Sequence, residues 1–187
     1  GNAKGWQDDN FVKADTIELY HDDKHMIATG KVQSALYTVE RETSPGKKEI
    51  VPVFASADRM TYSDEARLLH YEGNVKTRQG SDKVDSIQED VYLKQDTNDI
   101  DHTIARGNVV LIQTGRHGAG DVFTYFASDG RGVLTGKEAR IDDEEKGSTM
   151  GAQLTFYSHD DRIIVDNQHG TGRVRSIHHV ETGKEKP

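Results

Sequence analysis

The chain contains no cysteine. Disulfides, thiolate zinc sites and cysteine nucleophiles are therefore excluded. The compartment stays open, because both cytosolic and periplasmic proteins can do without the residue. Long apolar runs are also missing. The longest is Val109–Ile112, far short of the roughly 20 residues that a membrane-crossing helix needs. Clusters of Lys and Arg are absent, and the formal net charge is −8. That balance argues against nucleic acid as a partner, whose phosphates require a basic footprint. Apolar residues are scarce at 33%, against 30% charged residues, with 18 glycines but only 3 prolines in 187 residues. Such a chain is too polar for a thick core and too regular in pattern for disorder. A thin or folded-over sheet fits, since each strand then has one dry face and one wet face.

What the chain does have is a recurring unit. Its clearest copy is Ser56 to Thr77, SADRMTYSDEARLLHYEGNVKT. Alternation predicts a strand with Asp58, Met60 and Tyr62 on one face, a polar turn at Asp64-Glu65-Ala66, and a return strand into Gly73-Asn74-Val75. Looser copies are expected over residues 14–33, 89–113, 120–141 and 152–174. Their turns are His21-Asp22-Asp23-Lys24 and Ser128-Asp129-Gly130, and Gly107-Asn108-Val109 restates Gly73-Asn74-Val75. A period near 30 residues with several short strands reads as a repetitive all-β array. A glycine repeated at the same place in a strand pattern marks a bend or bulge. In register, it is expected to bend every second strand at one height and fold the sheet lengthwise. Leu36 to Arg41 reads as a further strand, and ETSPGKK (42–48) reads as a loop inserted around Pro45-Gly46. Trp6 is the only tryptophan and is placed as a cap on an open end of the core. Residues 1–13 are expected to fray, 14–175 to form a single domain, and 176–187 to be a polar tail.

The residues of chemically versatile type are weak candidates for a site. His21 and His25 flank Asp22-Asp23, and His178-His179 are adjacent. The first pair spans a hairpin turn rather than one face of a helix, so no metal is expected. The acidic turns Asp142-Asp143-Glu144-Glu145 and Asp160-Asp161 offer paired carboxylates. Acid–base pairs need burial to separate their pKa values, whereas Asp in a hairpin turn has a backbone reason to be there. Gly118-Ala119-Gly120 is a turn and not a phosphate cradle. Neither a catalytic fingerprint nor a cofactor motif is present, and an enzyme is not expected. What remains is an apolar face at related phases of the repeat: Ile17, Leu19, Met60, Tyr62, Leu69, Tyr71, Val75, Val109, Leu111, Phe123, Tyr125, Leu134 and Tyr157. Val110 and Ile112 fall on the opposite face. On the residues alone this face is either a core filled by its own side chains, as in a structural interaction protein, or the lining of a groove.

The unit A-D-x-apolar-x-(Tyr or apolar), polar turn, short strand, G-N-V resembles the OstA-like repeat. That is the repeat of the periplasmic lipopolysaccharide-transport proteins of the LptA and LptC type and of the outer-membrane translocon's N-terminal domain. The matching segments are ASADRMTYSDEARLLHYEGNVKTRQG (55–80), IARGNVVLIQTG (104–115), GAGDVFTYFASDGRGVLTG (118–136) and GAQLTFYSHDDRIIVD (151–166), with a weaker match at 14–37. The resemblance implies a twisted, V-shaped β-jellyroll of antiparallel hairpins. It implies a periplasmic protein that shields lipid A acyl chains of lipopolysaccharide in an apolar groove made of the residues above, without a cofactor. It also implies end-to-end strand pairing with other transport proteins or with further copies of itself, and membrane association only through an anchor or partner outside this sequence. The chain departs from the pattern in its ETSPGKK insertion, in lacking any visible signal or anchor, and in a stretch from His169 to Pro187 without a counterpart.

Overall fold

The structure, a computed structural model, describes residues 1–7, 10–44, 46–157, 160–166 and 175–177. It is all-β. The strands are β1 (Ala3–Gln7), β2 (Asn10–Ala14), β3 (Thr16–Tyr20), β4 (His25–Leu36), β5 (Glu40–Ser44), β6 (Lys47–Ile50), β7 (Val53–Ser63), β8 (Leu68–Gln79), β9 (Asp82–Leu93), β10 (Ile100–Gln113), β11 (Arg116–Phe126), β12 (Arg131–Asp143), β13 (Gly147–Tyr157), β14 (Asp160–Asp166) and β15 (Arg175–Ile177). Thirteen of them form one antiparallel sheet in the order β1-β2-β4-β7-β8-β9-β10-β11-β12-β13-β14, with β3 on β4 and β15 on β13. From β7 to β14 each strand pairs with the next one in the chain, the signature of stacked hairpins, and the predicted β-jellyroll of repeated hairpins is what forms.

The expected turns lie between β3 and β4, β7 and β8, and β11 and β12. Alternation also places the core correctly around residue 110. Val109 and Leu111 are buried, while Val110 between them is 42% exposed.

A crease runs across the sheet. The ladder shifts register at Thr29/Val32 in β4, Ser56/Arg59 in β7, Glu72/Val75 in β8, Arg106/Val109 in β10, Ala119/Val122 in β11 and Thr135/Ala139 in β12. The extra residues sit in β4, β8, β10 and β12, every second strand along the order, as the glycine spacing predicts, and the ladders on both sides of each shift with them. The strands without a glycine-led bulge are bent by their neighbours' extra residues.

At the crease Gly73 and Asn74 have φ of 78° and 48°, and Gly107 and Asn108 repeat this at 81° and 50°. That left-handed pair is open to glycine and tolerated by Asn. The Asp58 carboxylate lies over Gly73, so a Cβ there would sit 2.5 Å from Asp58 Oδ2. Asn74 Nδ2 donates to the same oxygen at 2.7 Å. Asp15 covers Gly30 in the same way, and Asp121 Oδ2 accepts from the Lys137 amide at 3.0 Å. The A-D and G-N parts of the repeat are thus two sides of one contact.

Five expectations are corrected. Gly118-Ala119-Gly120 is not a turn but lies within β11, paired on both sides. Asp58 does not share a face with Met60: the bulge turns it outward, leaving Ala57 and Met60 buried. Residues 1–13 do not fray. Among the described residues there, Ala3–Gln7 and Asn10–Ala14 form β1 and β2, because Val12 and Ala14 bury their side chains in the core and β2 pairs with β4. No strand spans Leu36 to Arg41; β4 ends at Leu36 and a separate strand starts at Glu40. ETSPGKK is not a plain loop, for β5 and β6 pair around it as a separate two-stranded sheet. The Trp6 side chain, the C-terminal repeat beyond residue 166 apart from β15, and His178-His179 lie outside the described residues.

The crease yields a specific expectation. Gly73→Ala should cost more than about 2 kcal/mol, since it adds left-handed strain to a collision with Asp58. Gly46→Ala has φ of 76° but no atom within 4 Å of the added Cβ and should cost about 1 kcal/mol. Urea unfolding of the two variants side by side measures the difference.

Candidate functional site

Folding along the crease brings the two halves of each strand together, with the inward side chains between them. Two hydrogen bonds tie these leaves. The Ser34 and Tyr71 hydroxyls bond at 2.8 Å in a buried position, and Thr77 Oγ1 donates to Glu89 Oε2 at 2.5 Å. In each bond the partners lie on opposite sides of the register shift, Ser34 and Thr77 after it, Tyr71 and Glu89 on the other leaf.

The apolar interior separates into two clusters. One gathers side chains from β2, β4, β7, β8 and β9, with Met60, Leu69, Tyr71 and Val75 at its heart. The other gathers β10 to β13 around Val109, Leu111, Phe123, Leu134 and Phe156, the two phenylalanine rings stacked with centroids 5.9 Å apart.

The clusters do not fill the interior. A cavity of about 350 Å³ opens beside the first, lined by Leu19, Met26, Met60, Tyr62, Leu69 and Tyr71 among others, with His21, Lys24 and His25 at its exposed end. A second space of about 90 Å³ lies between the leaves, bordered by Leu111, Phe123, Tyr125 and Glu89. Of the thirteen residues proposed from the sequence, eight therefore border one of these two spaces, the larger of which opens to solvent. Leu19 does so at the rim, where it is 62% exposed. Val75, Val109 and Leu134 are fully buried core, Ile17 packs partly buried against the first cluster, and Tyr157 borders neither cavity.

The polar side of the smaller cavity was not foreseen. Glu89 is 2% exposed. Burial raises its pKa to about 7, with Thr77 pulling it partly back and neighbouring Asp90 adding to the rise. At the same cavity Arg41, from the stretch before the insertion, forms an ion pair with Asp82 and donates to the Gln79 carbonyl at 3.3 Å, while Gln113 Nε2 donates to Asp82 Oδ2 at 3.1 Å. The β5–β6 sheet is anchored there. On the outer face, one residue from Glu89, burial pushes Asp90 up, but hydrogen bonds and charge from His70 and Arg106 outweigh it and hold the carboxyl below its ordinary value. Burial also raises Tyr71 to about 12 despite its bond to Ser34. The histidines and acidic turns do not converge: among the described residues no group of three or more His, Asp or Glu side chains is arranged to hold a metal. Asp143 instead anchors its own turn, accepting from the amides of Glu145 and Lys146 and pairing with Arg116.

The sign of the Glu89 effect follows from its raised pKa. The fold favours the neutral acid, so its contribution is intact below about pH 4.5 and is lost as pH rises past about 7. Glu89→Gln should therefore gain stability over the parent on going from about pH 4 to about pH 8, by on the order of 2–3 kcal/mol. Denaturant midpoints across that range measure it, and a flat difference would contradict it.

Comparison with known proteins agrees with this architecture. A search of curated protein sequences returns no significant match. Among solved structures, the crystal structure of LptH, the LptA-homologous periplasmic component of the conserved lipopolysaccharide transport device from Pseudomonas aeruginosa, superposes with a TM-score of 0.61 at 17% identity, covering 68% of this chain and 95% of that one. At that identity the likeness concerns the fold. Residues 55–162, more than half of the chain, match the family model described as LptA/(LptD N-terminal domain) LPS transport protein, and the chain belongs to that family.

Proposed function

We propose that the protein carries lipopolysaccharide by holding its acyl chains between the two leaves of the creased sheet. The observation that carries this reading is the unfilled apolar interior, above all the cavity of about 350 Å³ lined by Met60, Tyr62, Leu69 and Tyr71. A structural repeat with a filled core would leave no such space. Each acyl methylene exposed to water costs roughly 0.8 kcal/mol, so one chain of about twelve carbons faces a barrier on the order of 10 kcal/mol in crossing an aqueous compartment. An apolar groove removes that barrier, because every step exchanges one dry contact for another. Lys24, His21 and His25 at the exposed end suit an anionic headgroup left in water.

The place of work is the periplasm, the compartment of LptH. The partners are other members of the transport device or further copies of the chain. Edge strands invite pairing with another chain, and β1 and β14 lie at the two ends of the strand order. Strand addition there would join modules end to end.

Two experiments test this. A photo-crosslinking residue at Tyr62 or Phe123 should capture lipopolysaccharide in cells, while one at the outward Ile87, half exposed, should not. No adduct at either inward position, with a working control in an established carrier, refutes the reading. Deleting residues 1–7, and β1 with them, should abolish concentration-dependent oligomers in light scattering while leaving the circular dichroism of the body unchanged. A monomer at every concentration of the intact chain would show that stacking is not intrinsic.

A further inference from the structure

The smaller cavity is walled by Val53, Ile100, Leu111, Phe123 and Phe156 among others, with Glu40, Arg41, Asp82 and Lys83 at its partly exposed side and one fully buried carboxyl, that of Glu89. Glu89 is among the largest fully buried side chains. Its Oε2 accepts from Thr77, and among the described residues no group is found to hydrogen-bond Oε1. An apolar conduit needs no carboxyl at this point, and burying one with unused hydrogen-bonding capacity is unfavourable unless something completes it.

We propose that Glu89, held in place by Thr77, is a recognition point for a hydroxyl group carried on an otherwise apolar acyl chain. The proposal rests on the acyl-chain reading above and adds chain chemistry to it. Other ligand groups fit worse. An anion would meet a carboxyl of its own sign. An ammonium would have to be stripped of water beside apolar walls, which is expensive even with a counter-charge. A hydroxyl is neutral and both donates and accepts, so it completes a carboxylate or a carboxylic acid equally. Both forms are populated near neutral pH, because burial places the Glu89 pKa at about 7. Thr77 stands on β8 after the crease and Glu89 on the facing leaf, so the recognition point sits where a chain passing between the leaves must run alongside it.

The test uses the full chain and displacement of a fluorescent fatty-acid probe. The competitors are a saturated fatty acid and mono-hydroxylated counterparts of the same length. The parent should prefer one hydroxylated chain over the plain one by about tenfold, the worth of one buried hydrogen bond. Glu89→Leu should reduce that preference to within about twofold, and Thr77→Val should weaken it, while Glu89→Gln keeps part of it because the amide still bonds a hydroxyl. Should Glu89→Leu fail to fold, the Gln and Val variants decide. Equal affinity of the parent for plain and hydroxylated chains, or a preference that survives Glu89→Leu and Thr77→Val, overturns the proposal and leaves the acyl-chain reading standing. Failure of the parent to bind any of the chains overturns both.

Discussion

A carboxylate lying over a glycine is the contact on which the architecture depends. Asp58 over Gly73 and Asp15 over Gly30 leave no room for a side chain. The left-handed backbone that follows them, completed by Asn74 or Lys31, adds residues to one strand that its neighbour does not match. A bulge of this kind sharpens twist and bends a strand. Repeated in adjacent ladders from β4 to β13, it folds an extended sheet into two leaves with an interior between them. Without the crease, Met60, Tyr71 and Phe123 would line one side of an open sheet in water.

The interior so formed is held open as much as held shut. Its leaves are joined by the Ser34–Tyr71 and Thr77–Glu89 bonds, while the apolar side chains gather in two clusters that leave space beside and between them. Polar ties across a thin core fix the separation of the leaves at a few points. Apolar side chains alone would collapse toward native packing density. That division of labour keeps the sheet folded without a filled interior, in a chain that belongs to a lipopolysaccharide-transport family.

The hairpins were legible because period-two alternation and Asp- or Gly-bearing turns are local signals. The two faces of Val109 to Ile112 followed from the same alternation, and so did the inward placement of Met60, Leu69, Tyr71, Leu111 and Phe123. The N-terminal strands escaped notice because Asn10 to Ala14 is only five residues long, and only pairing with its neighbours gives it a place. The β5–β6 sheet was hidden under the strong turn signal of Pro45-Gly46. The face of Asp58 was misjudged because a bulge resets the phase that alternation relies on.

By itself the sequence determined the strands, most of their inward faces and the positions where the backbone bends, because each depends on residues near one another in the chain. Tertiary structure decided which leaf faces which, how much of the interior stays empty, and that Glu89 points into it. In the sequence Glu89 stands beside Asp90 as one more charged residue among many. Only the pairing and folding of β8 and β9 puts Glu89 between the leaves and keeps Asp90, itself 8% exposed, on the opposite face with His70 and Arg106. Burial is a property of surfaces brought together from distant parts of the chain, and no local pattern records it.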